Sequence, residues 1–264
     1  MLILLTNDDG IYAPGLAAAY HELTKLGEVH VIAPETVQSA TGHGITLSTP
    51  LLTQRVVVGE GAERFEGIAV DGRPADCVKL AAAKLLPRPP DLVVSGINSG
   101  ANVGINVLYS GTVAAAIEAA FLGLPAVALT LYLRSHIPAD YARTAVFSRR
   151  VIEQVLDAGL RAGQVVSVNL PPLMPDQQPT GVRVVRQCAR PWADTYEERK
   201  DPRGRPYFWN SSVFTLGETE DDTDVSALRD NYITVTPLQF DMTHYPMLKE
   251  WRERRWGVGG NDEC

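Results

Sequence analysis

Short apolar runs alternate with helix-patterned segments along the first 170 residues, and this alternation most constrains the fold. The run at residues 2–5 is apolar on both sides of an extended strand, as expected for a strand buried between two helix layers. Further strands are predicted at 29–33, 91–95, 126–131 and 165–170, with helices at 14–26, 74–86, 112–122 and 140–160. The pattern predicts an α/β fold with a Rossmann-like, doubly wound and mainly parallel sheet.

Two stretches depart from the alternation. Residues 47–70 contain β-branched runs around a glycine-rich centre, which predicts an antiparallel hairpin or a flap. From residue 171 onward, prolines separate short β-prone runs. We therefore divide the chain into an α/β catalytic domain, 1–170, and a β-rich C-terminal extension, 171–264, which could equally count as one domain. The extension is a candidate oligomerisation arm. Its acidic run at 218–224 is expected to be a solvated loop, and residues 257–264 are expected to be a frayed tail.

The charge balance argues against some partners. The 264 residues include 24 basic and 31 acidic side chains, a formal charge of -7, which is unfavourable for binding duplex nucleic acid. A small phosphorylated ligand remains compatible, because backbone N–H groups or a bound cation can supply local positive potential. Three cysteines without CxxC spacing predict neither disulfides nor a zinc site, and favour the reducing cytoplasm. No apolar window is long enough to predict a membrane span.

Two adjacent carboxylates, Asp8 and Asp9, follow the first predicted strand, and Gly10 allows a turn there. Ligands of parallel sheets bind beyond the carboxyl ends of the strands. In such a turn both carboxylates can converge on one hard cation, which prefers oxygen ligands. The alternative is that one of them caps the following helix, although a cap needs only one carboxylate.

A polar loop follows the second predicted strand and contains Ser39 and His43. Ser39 could add a hydroxyl ligand to a metal or contact substrate, although serine in a glycine-containing loop more often forms a turn. His43 has the most suitable position of the five histidines for catalysis or substrate contact, because histidine is the usual proton-transfer side chain near neutral pH. A purely structural role for His43 is the alternative.

A long glycine-rich stretch follows the strand at 91–95, and a helix begins directly after it. Asparagines and a hydroxyl pair before a helix N-terminus are suited to an anion, because free N–H groups and the helix dipole both favour negative charge. The stretch lacks the Gly-Lys-Ser/Thr of a Walker A loop, the serine of a nucleophile elbow and the Gly-x-Gly-x-x-Gly of a dinucleotide site. Together the carboxylate pair, the polar loop and this stretch predict a metal-assisted phosphoryl site.

At these residues the sequence closely resembles the SurE family, the "survival protein" 5'-nucleotidases. The resemblance covers most of the chain, from Met1 to about Thr243, and the combination of motifs is specific although each motif alone is not. The matching segments are LLTNDDGI (4–11), SATGH (39–43), DGRPADCV (71–78), SGINSGANVG (95–104), YSGTVA (109–114) and VNLP (168–171).

The resemblance implies a cytoplasmic, divalent-metal-dependent phosphatase that acts on nucleoside 5'-monophosphates, with side activity toward 3'-nucleotides and polyphosphate. It implies homodimers or homotetramers built through the C-terminal arms. One departure is Gln38, where many members carry a basic residue, and it bears on substrate preference rather than on the reaction. The implied ligands of one Mg²⁺ or Mn²⁺ per subunit are Asp8, Asp9, Ser39 and Asn98, and the implied phosphate contacts are Asn102, Ser110, Gly111 and Thr112, with Ser39 as a further substrate contact.

The sequence is compatible with more than one nucleophile and with more than one function. Either an activated water or one of the carboxylates attacks phosphorus, and the sequence does not distinguish them. The chain could also be a nucleotide-binding regulatory module without turnover. A third hypothesis is a sugar-nucleotide transferase, which also uses acidic metal ligands on an α/β sheet.

Overall fold

The computed structural model of the protein describes residues 1–190, 195–211, 216–217 and 219–257, and eleven strands and six α-helices lie in this part of the chain. The strands are β1 (Leu2–Thr6), β2 (Glu28–Pro34), β3 (Thr53–Val58), β4 (Phe65–Val70), β5 (Leu92–Ser99), β6 (Ala126–Leu131), β7 (Val165–Leu170), β8 (Gly181–Val184), β9 (Tyr196–Lys200), β10 (Pro206–Asn210) and β11 (Tyr232–Leu238). The helices are α1 (Pro14–Leu23), α2 (Pro74–Leu80), α3 (Gly111–Phe121), α4 (Tyr141–Asp157), α5 (Asp224–Arg229) and α6 (Tyr245–Arg252).

Nine strands form one mainly parallel sheet in the order β3-β4-β2-β1-β5-β6-β7-β11-β8. The first strand lies inside the sheet and pairs in parallel with β2 on one side and with β5 on the other. The chain therefore winds outward in both directions from β1, and the topological switch point falls between β1 and β5. The predicted doubly wound α/β fold is confirmed.

Helices cover both faces of the sheet, which explains why β1 is apolar on both sides. On one face, Leu16 of α1 and Ile152 of α4 share a core cluster with Ile3 and Leu5. On the other face, Leu4 packs in a second cluster with residues of α2 and α3. Every residue of β1 is buried, so this strand fixes the position of the turn that follows it.

The hairpin predicted at 47–70 is confirmed, but it is not a detached flap. Strands β3 and β4 pair antiparallel, and β4 also pairs in parallel with β2. The hairpin is therefore the edge of the main sheet.

The sheet continues across the boundary predicted at residue 170. Strand β11 pairs antiparallel with β7, and β8 pairs in parallel with β11. Strands β9 and β10 instead form a separate two-stranded hairpin, and no residue of α6 is buried. The division at residue 170 stays a prediction.

Some element ends differ from the predictions. The helix predicted at 74–86 is α-helical only to Leu80 and continues as a wider π turn at Ala81–Leu85. The acidic run is not entirely a solvated loop, because Asp224 is buried at the start of α5, while Glu218 lies outside the described residues. Residues 258–264 of the predicted tail also lie outside them. No helix in the described part of the chain has the length and apolarity needed to cross a membrane.

Candidate active site

A cleft of about 530 Å³ opens beyond the carboxyl ends of β1 and β5, at the switch point of the sheet. This is the position at which open α/β sheets bind ligands. The structure brings six of the sequence-predicted site residues to its wall, and these are Asp8, Asp9, Ser39, Asn98, Asn102 and Ser110. Asn106, Tyr109 and Asn210 also line the cleft and were not assigned a role from the sequence.

The turn after β1 is held by its own polar groups. The side-chain amide of Asn7 donates to the Gly10 carbonyl at 2.9 Å, and Gly10 has φ +93, a conformation that favours glycine. The backbone N–H of Gln38 donates to the Asp8 carbonyl at 2.7 Å. This bond places the loop that carries Ser39 beside the carboxylate pair.

Asp8 is buried against the N-terminus of α3. Its Oδ1 accepts a hydrogen bond from the Thr112 hydroxyl, and a Cβ added to Gly111 would lie 2.8 Å from the Asp8 Cβ. Burial raises the pKa of Asp8 to about 6, the hydrogen bond from Thr112 opposes this rise, and the charge of Asp9 adds to it. Glycine at position 111 therefore allows the helix to approach the carboxylate, and the carboxylate is costly to ionise without a cation.

Asp9 is less buried and is oriented by the end of β5. Its Oδ2 accepts a hydrogen bond from the Ser99 backbone N–H at 2.9 Å. The Ser99 hydroxyl lies 2.6 Å from the Tyr141 hydroxyl at the start of α4. Because a backbone group holds Asp9, its orientation depends on the path of β5 rather than on a mobile side chain.

The side-chain amide of Asn98 is oriented by a local hydrogen bond. The Nδ2 group donates to the Gly100 carbonyl at 2.6 Å, so the amide oxygen is the atom of Asn98 that can coordinate a cation. Together with Asp8, Asp9 and the Ser39 hydroxyl, this gives a set of oxygen donors.

The donor set fits a hard divalent cation. The structure describes no cluster of three or more His, Cys, Asp and Glu side chains that could hold a metal, so any ion here needs neutral oxygens as well as the two carboxylates. None of the ion pairs among the described residues includes Asp8 or Asp9. Two neighbouring carboxylates without a basic partner, with the pKa of one raised, are suited to Mg²⁺ or Mn²⁺.

Another part of the cleft wall combines the N-terminus of α3 with a fixed asparagine. Ser110 caps α3, and its hydroxyl oxygen accepts a hydrogen bond from the Val113 N–H at 3.1 Å. The backbone N–H of Asn102 donates to Asn169 Oδ1 at 2.9 Å, and its side chain donates to Thr130 at 3.0 Å. A helix N-terminus of this length attracts anions.

Asn169 is a supporting residue that the sequence reasoning missed. It lies at the end of β7 and anchors the backbone of Asn102. The available signal was a polar side chain at the end of an otherwise apolar strand, which sequence reasoning noted only as part of the VNLP motif.

Gly111 and Thr112 do not line the cleft, although both were predicted as phosphate contacts. Thr112 is fully buried and donates to Asp8, and Gly111 packs against the same carboxylate. In this arrangement they position Asp8 from behind.

His43 is not brought to the cleft wall either. Its Nε2 lies 2.7 Å from Glu118 Oε2, and its ring stacks on Phe121 with a centroid distance of 5.1 Å. Lys79 pairs with the other oxygen of Glu118 at 3.0 Å. This geometry ties the loop of Ser39 to α3, and the catalytic role predicted for His43 has no support from it.

The fold and the cleft define a Rossmann-like α/β protein whose ligand site lies at the topological switch point. A sequence profile of the family described as "Survival protein SurE" matches residues 3–194. The chain belongs to the SurE family.

Relatives with assigned names support this membership over nearly the whole chain. The "5'-nucleotidase SurE" of Syntrophobacter fumaroxidans is 46% identical over 248 residues, which cover 94% of this chain and 97% of that protein. The protein of the same name from Carboxydothermus hydrogenoformans is 45% identical over 252 residues, covering 95% and 94%. The crystal structure of the SurE protein from Aquifex aeolicus superposes with a TM-score of 0.80 at 35% identity, covering 95% of this chain and 98% of that one.

Proposed function

We propose that this protein is a divalent-metal-dependent 5'-nucleotidase, which hydrolyses nucleoside 5'-monophosphates to nucleoside and phosphate. The coarser assignment, a nucleotide phosphomonoesterase, follows from the family and from relatives named 5'-nucleotidase SurE. The observation that carries the finer proposal is the convergence of Asp8 and Asp9, without basic partners, on a cleft bordered by the N-terminus of α3. A dianionic phosphate could bind there only beside positive potential from the helix and a cation.

Asp8, Asp9, Asn98 and Ser39 would hold the cation. When bound, it supplies Lewis-acid polarisation of the phosphoryl group and lowers the pKa of water. Ser110 and the first turn of α3 orient the phosphate against the carboxylate side of the cleft. The Thr112 hydroxyl stabilises the charged form of Asp8, since a hydrogen bond to a carboxylate lowers its pKa.

A substrate panel tests this function. We expect phosphate release from nucleoside 5'-monophosphates with Mn²⁺ or Mg²⁺, complete loss with a chelator, and recovery when the cation is restored. Including 3'-monophosphates and tripolyphosphate measures the side activities that we propose. Nucleotide binding without phosphate release under all these conditions would instead favour the regulatory module.

The Thr112→Val variant tests the support of Asp8. Removing the hydroxyl takes away a hydrogen bond to the carboxylate, and such supporting bonds typically change activity about 10-fold or more. We expect kcat/KM for a nucleoside 5'-monophosphate to fall about 10-fold and the acid limb of the pH profile to move to higher pH. Thr112→Ser keeps the hydroxyl and should restore both, whereas an unchanged acid limb in Thr112→Val would refute the role.

The assembly and location of the protein belong to the same proposal. The β9–β10 hairpin exposes Tyr207, Phe208 and Trp209, and exposed aromatics of this kind mark interaction surfaces. We therefore propose that residues 171–264 contribute the arm of a homodimer or homotetramer. Cys77 and Cys188 are buried free thiols, which is compatible with a cytoplasmic protein, and Cys264 lies outside the described residues.

A further inference from the structure

Tyr109 is an exposed aromatic side chain on the cleft wall. It lines the cleft and is 59% exposed, and among the described residues no ring, cation or hydrogen bond holds its side chain. Exposing an aromatic ring leaves a large apolar area in water. A ligand that covers the ring would recover that area.

The backbone of Tyr109 is fixed although its side chain is exposed. Its N–H donates to the Asn106 carbonyl at 3.0 Å, and its carbonyl accepts from the Gly42 N–H at 3.0 Å. These two backbone hydrogen bonds therefore fix the position from which the ring projects. A preorganised ring loses little conformational entropy when a ligand stacks on it.

The position of Tyr109 relates it to the proposed phosphate site. Ser110, the next residue, caps α3, so the ring projects from the residue adjoining the proposed anion site. In a nucleoside 5'-monophosphate only the ribose separates the phosphate from the flat base. A phosphate at the N-terminus of α3 thus leaves the base within reach of this ring.

Two asparagines in the same cleft add polar groups. Asn106 lies in the turn that precedes Tyr109, and Asn210 comes from the end of β10, about 100 residues further along the chain. A side-chain amide offers both donors and an acceptor, which suits the polar edge of a nucleobase. An aromatic face with amides around it is a typical arrangement for holding a base.

We propose that Tyr109, with Asn106 and Asn210, forms the nucleoside subsite of the cleft, in which the base stacks on the tyrosine ring. The inference rests on the proposed function, because it takes the phosphate to lie at the N-terminus of α3. It makes Tyr109 a specificity-determining residue that separates nucleotides from phosphate esters without a base.

Tyr109→Ala tests the subsite, with Leu108→Ala as the matched control. Leu108 is the preceding residue, is 58% exposed and does not line the cleft. Two quantities are measured in each variant: kcat/KM for AMP, and the inhibition constant of inorganic phosphate, which has no base. For Tyr109→Ala we expect kcat/KM for AMP to fall about 5- to 150-fold, as when an aromatic that stacks on one base is truncated. The inhibition constant of phosphate should stay within about twofold, because no stacking energy is involved in its binding.

The remaining outcomes distinguish a failure of the proposed subsite from a failure of the proposed reaction. Equal losses for AMP and for phosphate would show that Tyr109 only supports Ser110, and an unchanged kcat/KM for AMP would show that no base stacks there. Tyr109→Phe keeps the ring and should retain the wild-type preference. If the wild-type protein released no phosphate from any nucleoside 5'-monophosphate, the proposed function would fail, and calorimetric binding of AMP and of phosphate to the same variants would still decide the subsite.

Discussion

Replacing Asp8 with asparagine lowers the metal-dependent release of phosphate from a nucleoside 5'-monophosphate by at least about 10²- to 10³-fold, the loss typical for removing one well-placed charge-stabilising group. The substitution removes a negative charge from the proposed cation site, and Asn98 and Ser39 cannot replace it because both are neutral. Measuring kcat/KM at saturating Mn²⁺ checks the result. Asp176→Asn, at an exposed position outside the cleft, is the matched control and should be unaffected. Full metal-dependent activity in Asp8→Asn would mean that the site is assigned to the wrong residues.

The same variant should be more stable than wild type when no cation is bound. The pKa of Asp8 is about 6 in the folded protein, above the ordinary value of 3.8, so folding favours the protonated form. Stability therefore falls as the pH rises from about 4 through about 6, and at pH 7 the ionised carboxylate costs about 3 kcal/mol. Between pH 5 and pH 7, urea unfolding of the chelated protein should show the remaining part of this loss, about 1 kcal/mol, in wild type and not in Asp8→Asn. Added Mn²⁺ should reverse the order at pH 7, because it binds the folded wild type more strongly.

The local pattern of apolar residues was sufficient to predict the strands that lie between the two helix layers. Strands such as β1 and β6 are buried along their whole length, so their apolar character appears directly in the sequence. Pairing between distant segments was not predictable in the same way. The addition of β11 and β8 to the sheet depends on long-range contacts. Strand β5 extends to Ser99 because it pairs with β6 again, in a shifted register, after an irregularity between Ser95 and Asn98.

The same distinction holds for the cleft. Asp8 and Asp9 were predictable because they follow a buried strand whose carboxyl end must lie at one edge of the sheet, whereas the role of Asn98, which lies near the end of β5, came from the family resemblance. The hydrogen-bond partner of each polar side chain was not predictable. Thr112 donates to a carboxylate 104 residues away, and His43 contacts Glu118 across 75 residues, and local sequence gives no signal for either pairing.

Asp224→Ala should produce the largest loss of stability among the substitutions considered, about 3 kcal/mol in the free energy of unfolding at pH 7. Asp224 is 1% exposed, and its carboxylate accepts hydrogen bonds from the backbone N–H groups of Gly104 at 2.8 Å and Cys188 at 2.9 Å. The Val225 N–H also donates to this carboxylate, at 2.9 Å. Alanine therefore leaves three buried donors without this acceptor, and an unsatisfied buried donor typically costs about 1–3 kcal/mol. Urea denaturation measures the loss, and exposed Asp221→Ala is the matched control, for which we expect no change.

Asp224 also links the C-terminal half to the cleft. Gly104 begins the turn that carries Asn106 and leads to Tyr109, so a loss of its anchor should loosen the wall on which the base is proposed to stack. In folded Asp224→Ala we therefore expect KM for AMP to rise more than kcat falls. The nucleobase is bound in the same way in the substrate complex and in the transition state, so a weaker base contact raises KM without changing kcat. If the variant unfolded at the same urea concentration as Asp221→Ala, the buried carboxylate would not be the anchor. A loss of kcat at constant KM would place its effect on the carboxylate pair rather than on the turn.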